Sequence, residues 1–161
     1  MPIKLELFEK IVRKSEVVRE PKEIEPPEQH LHPFDIRSIH PKLPEDVKKL
    51  FDNGHFAQAT FEAFKFIDKE VQRHSNINET GQKLMMQAFS DKAPVIKLTN
   101  MSNDSEIDEQ KGYQFLFAGS VLAIRNSRGH EYGIKDDVDS CLDHLSLASI
   151  LIRRLEQAGY M

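Results

Sequence analysis

The chain has 161 residues, a formal net charge of −4, 39% hydrophobic residues and ten phenylalanines. That suffices for one domain with a core, and it excludes a broad basic surface of the kind that holds proteins to duplex nucleic acid through counterion release. No apolar run approaches the roughly 18 residues of a membrane span, and MPIKLELFEKIVRK at the start lacks the apolar stretch and cleavage site of an export signal. With one cysteine, Cys141, no internal disulfide forms, and the expected setting is a reducing cytoplasm away from any membrane.

Residues 3–18 carry apolar side chains near the helical period and predict a short N-terminal helix. Six of the eight prolines then fall between Pro21 and Pro44, among Glu23, Glu25, Glu28 and three histidines. Proline removes a backbone donor and fixes φ, so this segment reads as an extended linker with at most a turn or two. The expected boundary lies near residue 43, with residues 1–43 as extension and 44–161 as the folded domain.

From Pro44 onward the text is helical. Pro44 suits a first turn, EDVKKLF follows, and Asn53-Gly54 stops it. Phe56, Ala59, Ala63, Phe66, Ile67 and Val71 trace one apolar stripe over a long helix. A short helix is expected over 80–89, PVIKL (94–98) is the one β-like run, and the polar residues 100–110 read as a loop. A strongly apolar helix is expected over 109–125. Asp136-Asp137 cap a last helix whose Val138, Cys141, Leu142, Leu145, Ala148, Ile152 and Leu155 share a face, with Gly159 ending it. The fold class is all-α, a bundle of four to five helices with an N-terminal extension.

Between the last two helices lies AIRNSRGHEYG, residues 123–133. On a straight α-helix Arg125 and His130 are roughly 140° apart, at about 100° per residue. Asn126, Ser127 and Gly129 are poor helix-interior residues, so a break is expected there, with Arg125 ending one helix and His130 in a turn at the end of the bundle. Arginine is permanently cationic and forks onto phosphate oxygens, whereas histidine moves protons near neutral pH. Together they make a minimal kit for metal-independent RNA cleavage, with Asn126 orienting a phosphate or the histidine and Arg128 as a second phosphate contact. A plain alternative stands beside this: the helix dipole alone favours an arginine at a helix C-terminus.

Other candidates are weaker. His30, His32 and His40 lack a cysteine partner or a ligand-like carboxylate pattern and read as solvated linker residues, so neither metal nor cofactor is expected. Cys141 lies on a buried stripe and reads as a packed thiol. Arg153-Arg154 reads as a polar helix face that would touch RNA backbone only if it flanked the cleft.

Arg125-Asn126-x-x-x-His130, between an apolar helix and a capped apolar helix, resembles the R-x4–6-H motif of HEPN domains. The ordered segments LFDNGHFAQATFEAFKFID (50–68), GQKLMMQAFS (81–90), LFAGSVLAIRNSRGHE (116–131) and LDHLSLASILIRRLEQA (142–158) resemble the Ymh-type subfamily, often found among bacterial abortive-infection proteins. This resemblance covers about 45–159. It implies an HEPN-like all-α bundle forming a homodimer with a composite ribonuclease site, Arg125 and His130 as the catalytic pair and Asn126 as accessory residue. By the same resemblance, Glu62 and Lys65 within FEAFK are substrate-binding candidates on an earlier helix. RNA is the implied substrate, cleaved through its 2′-hydroxyl in anti-phage defence or a toxin system, with a neutralising or regulatory partner protein as a further expectation. A catalytically silent HEPN dimer binding a nucleotide or a partner protein is the alternative, and a structural helical adaptor a third. Ser127-Arg128-Gly129 stands where this subfamily leads one to expect Pro-Arg-Ala, which bears on the stiffness of the turn.

Overall fold

The computed structural model describes residues 9–10, 31–130 and 135–161, with backbone alone at His130. The chain divides into two units, Met1–Leu31 and His32–Met161. In the first, Glu9 and Lys10 are helical; the rest of the helix expected over 3–18 lies outside the described residues. Everything below concerns the second unit.

It is all-helical, with no strand among the described residues. In chain order the helices are α1 (Pro33–Ile36), α2 (Glu45–Asp52), α3 (Phe56–Ser75), α4 (Gly81–Ala88), α5 (Asp104–Ser120), a π-helical turn (Val121–Arg125), α6 (Asn126–His130) and α7 (Val138–Gln157). The core is formed by Val47, Ala63, Phe64, Ile67, Val71, Leu84, Met85, Phe89, Phe117, Val121, Leu145, Leu151, Ile152 and Leu155, all fully buried. Phe89 and Phe117 stack at its centre, ring centroids 4.3 Å apart. On α3 the stripe read from the sequence is shifted: Phe64 is buried, whereas Phe56 and Phe66 pack partly exposed at its margin. Val138 likewise lies outside the buried face of α7.

The folded unit starts earlier than the boundary expected near residue 43. Residues 32–43 dock on α7 instead of running as a linker: Ile39 and Leu43 are buried, the His40 amide donates to Ser149 Oγ (2.9 Å), and His40 Nε2 meets the Glu156 carboxylate at 2.8 Å. Lys42 adds an ion pair to Glu156 (2.7 Å), and together Lys42 and His40 hold that carboxyl below its ordinary pKa. Pro33 lies in the first turn of α1, where a missing N–H costs nothing. His32 caps that helix, its Nδ1 accepting from the Phe34 amide, while Nε2 contacts Asp52 at 2.7 Å. His32 and His40 are thus occupied in packing.

Two more expectations change. α5 begins at Asp104 and not near 109, because Asn103 Oδ1 accepts from the Glu106 amide while the Glu106 carboxylate reaches back to the Ser102 amide and hydroxyl, both at 2.9 Å. The β-like run at 94–98 is irregular, since its backbone is satisfied locally. The amides of Val95 and Ile96 both bond the Ala88 carbonyl. The fully buried Gln110 side chain accepts from Leu98 and donates to the Phe89 and Ile96 carbonyls.

Candidate functional site around Arg125

α5 continues into its π-turn, where the Asn126 amide bonds the Val121 carbonyl five residues back. Single π-turns within α-helices shift the phase of all that follows and are frequent at functional sites. The break expected over 126–129 is absent, because the polar side chains that predicted it bond back onto the helix. Ser127 Oγ donates to the Ala123 and Ile124 carbonyls, both at 3.0 Å, and Arg128 Nη1 to that of Ile124 at 2.9 Å. Arg125 and His130 therefore belong to one helical run, although the His130 side chain lies outside the described residues.

Arg125 is half-buried. Its Nη1 donates to Asn126 Oδ1 (3.2 Å), and its buried Nε has no hydrogen-bond partner among the described residues. An unpaired buried donor costs about 1–3 kcal/mol, so this guanidinium is held with donor capacity unspent. Arg125, Asn126, Gly129 and Phe61 line a pocket of about 110 Å³. Phe61, one turn from the N-terminus of α3, forms its floor, and the Arg125 Cζ lies 5.8 Å from the ring centroid. Gly129 makes that position feasible: a Cβ there would come within 2.9 Å of Phe61 Cε2. Glycine in a helix costs about 1 kcal/mol relative to alanine, but here it leaves the space that the ring needs. Below the pocket, Asp68 is buried and accepts from the Gly81 amide at 2.6 Å, tying the start of α4 to α3 beside Arg125.

The structure brings only some of the expected residues here. Lys65 Nζ stands 5.8 Å from the same Phe61 ring. Glu62 does not enter the pocket: it pairs with Lys65 (3.1 Å), accepts from Gln58 (3.0 Å) and lines another hollow with Asp46, Lys49 and Leu50 of α2. Arg128 is not available as a second phosphate contact. Its guanidinium forks onto Asp136 at 2.6 and 2.7 Å, the two side chains 10% and 6% exposed. In sequence, this pair brackets residues 129–135. His144 packs beside it, its Nδ1 3.4 Å from Arg128 Nη2, and burial followed by the Arg128 charge lowers its pKa below 6.5. Cys141 is buried under Thr60, whose hydroxyl donates to Sγ at 3.5 Å, and burial pushes its thiol pKa up, which is the opposite of what a nucleophile needs. Arg154 and Arg153 are engaged too: Arg154 with Glu109 (2.8 Å) and the Leu98 carbonyl (2.6 Å), Arg153 with the Ser38 carbonyl.

Sequence reasoning passed over Phe61 and Asp68. Phe61 stands off the buried stripe of α3, immediately before Glu62, and that displacement is the signal that could have singled it out. For Asp68 the signal is a carboxylate flanked by Ile67 and Val71 on a buried face.

Helices packed round one core, with an arginine–asparagine pair opening on an aromatic-floored pocket at one end, define an all-α protein with a compact polar site. The chain belongs to the Hypoth_ymh family, described as a protein of unknown function, whose model matches residues 37–155. That match also begins within the segment 32–43 that docks on α7. No curated protein and no solved structure matches the chain. Among the described residues no helix is long and apolar enough to cross a membrane.

Proposed function

We propose that this protein is a metal-independent endoribonuclease of HEPN type, working as a homodimer in bacterial anti-phage defence or a toxin system. The observation that carries the reading is the Arg125 guanidinium, held in a pocket with its Nε unpartnered among the described residues and its Nη1 bonded to the neutral Asn126 side chain. A cation with spare donors matches the charge that builds on a phosphoryl group. In the proposed step the RNA 2′-oxygen attacks the adjacent phosphorus and loses its proton to a base. The 5′-oxygen leaves with a proton, and the product end is a 2′,3′-cyclic phosphate. His130 is the proton-transfer group, Arg125 stabilises the equatorial oxygens, and Asn126 orients Arg125 or the phosphate.

A second copy of the chain is the partner this reading requires. Phe115, Leu116 and Leu122 are each about half exposed; Phe115 and Leu116 lie with Gly112 and Gly119 within about 100° of arc on α5, and exposed Leu122 and Ala123 follow in the π-turn. The last turns of α5 thus carry an apolar strip on their outer face, as a two-fold interface demands. A catalytically silent dimer that binds a nucleotide or a partner protein is the competing reading, and it does not need His130.

The deciding experiment is incubation of the purified protein with total RNA in EDTA, beside His130→Ala. Cleavage by the wild type alone, with cyclic-phosphate ends and intact DNA, is the expected result. Cleavage that persists in His130→Ala, needs Mg²⁺ or extends to DNA overturns the scheme, and a wild type inert on every RNA favours the silent dimer. Light scattering should give twice the 18.6 kDa chain mass, and Leu122→Glu should return it to one.

A further inference from the structure

We infer that the Phe61 ring is a nucleobase platform: the nucleotide whose phosphate Arg125 holds lays its base on this ring, beside Lys65. The inference rests on the ribonuclease reading for the identity of the phosphate, but its own support is the geometry around α3. Arg125 and Lys65 each place a cation 5.8 Å from the centroid of one phenyl ring. The Lys65 charge is shared with Glu62, whereas among the described residues Arg125 has a neutral amide as its hydrogen-bond partner. An anion therefore goes to the Arg125 side of the ring.

At about 110 Å³ the pocket is well below the roughly 300 Å³ at which clefts begin to enclose a whole ligand. It takes one group and leaves the remainder of the ligand lying across its mouth. A nucleotide unit supplies both an anionic group and a planar π face, a few ångströms apart. Stacking on an aromatic side chain tolerates any base, because every base has such a face. The absent side chain of Gly129 sets the ring's position, since a Cβ there would meet Phe61 Cε2 at 2.9 Å. Neither Phe61 nor Gly129 carries charge or moves protons, so they act on where the RNA chain lies and not on the chemical step.

The test uses the full-length protein and two single-stranded deoxyribo-oligonucleotides of equal length, one with bases and one abasic throughout. Both lack the 2′-oxygen nucleophile and stay intact. Affinity is read by fluorescence anisotropy. The wild type should prefer the base-bearing strand, Phe61→Leu should lose roughly five- to hundredfold of that preference, and Phe61→Tyr should keep it. Gly129→Ala, which displaces the ring without removing it, should lose part of the preference with no fall in melting temperature, and it serves where Phe61→Leu folds poorly. A preference that neither Phe61→Leu nor Gly129→Ala changes overturns the platform, whatever the RNA-cleavage assay shows. A ring-dependent preference in a protein that cleaves no RNA supports the platform and overturns the ribonuclease reading. A wild type that binds neither strand, or both equally, overturns the platform, and the ribonuclease reading is then decided by the RNA-cleavage assay alone.

Discussion

Arg125 follows the C-terminal end of α5 and Arg154 pairs near the other end of that helix, at Glu109, and locally the two arginines resemble each other. Each has a buried Nε without a partner among the described residues, each lies near an aromatic ring (Phe61 at 5.8 Å, Tyr113 at 5.1 Å), and each borders a hollow. Their remaining contacts differ. Arg154 is tied to the Glu109 carboxylate and the Leu98 carbonyl, fastening the end of α7 to the start of α5 and the loop before it. Among the described residues Arg125 has one hydrogen bond, to the neutral side chain next to it. Burial and cation–π distance do not separate a structural arginine from one available to a ligand. The number of acceptors already claimed does.

Mutations that exchange the expected roles of the two ends break or sharpen this comparison. The largest effect belongs to the Arg125 end: His130→Ala should cut RNA cleavage on the order of 10²–10⁴-fold, as loss of a proton-transfer group does. Arg125→Lys keeps the charge but loses the fork, and it should stay badly impaired with a melting temperature near wild type. Near-normal cleavage by Arg125→Lys would end the claim that this arginine is the working one.

Arg128→Ala comes next, and its effect is on stability. It leaves the Asp136 carboxylate, 6% exposed, without its partner, and breaking such a buried pair costs about 3–5 kcal/mol. Urea denaturation should show that loss, whereas a surface phosphate contact would leave the midpoint unmoved and weaken only RNA binding. Arg154→Ala should cost less, about 1–3 kcal/mol, because Glu109 is nearly half exposed and rehydrates. Its folded fraction should cleave RNA at the wild-type rate. An Arg154 variant that is stable yet inactive would reverse the assignment of the two ends.

The smallest effect is on pH dependence. His144 has a folded-state pKa below its ordinary 6.5, set by burial and then by Arg128, so the unfolded chain binds more protons in that window. Stability should fall as the pH drops below about 6.5 and level off below the folded-state value. His144→Gln should flatten this part of a melting-temperature profile. An unchanged slope would assign it to other groups.

Much of this was legible in the sequence, for local reasons. The stop of α2 at Asn53-Gly54, the span of α3 and the Asp137 cap of α7 follow from periodicity and capping chemistry confined to neighbouring residues. The docking of residues 32–43 was not legible, because what folds that proline-rich stretch is contact with Ser149 and Glu156, more than a hundred residues away. The irregular course of 94–98 depends in the same way on one side chain, Gln110, supplied by another element. At the site, the sequence singled out Arg125 and Asn126, and the structure places these two on one pocket. The engagement of Arg128 by Asp136 and the ring beneath Arg125 were hidden, since identical letters describe a committed arginine and an available one. The capping pattern around Asn103 and Glu106 was in plain view, and it outweighs the polarity that made 100–110 read as a loop.

The π-turn at Val121–Arg125 has a consequence for how this family can change. Such a turn holds one residue more than the α-turn it replaces. Deleting a single codon within it would close it to an α-turn and leave later positions nearly unmoved, whereas deleting one from the regular turns of α5 would swing every later position of the helix by about 100°, with about 1.5 Å of axial retreat. The Arg125 pocket, the seat of the Phe61 ring against Gly129 and the Arg128–Asp136 clasp would lose their alignment in one event. The contacts among α2, α3 and α4 lie outside that shift. The site is thus encoded by residue count as much as by residue identity, and a lineage could lose it by a reading-frame-preserving deletion that leaves every named side chain in the gene.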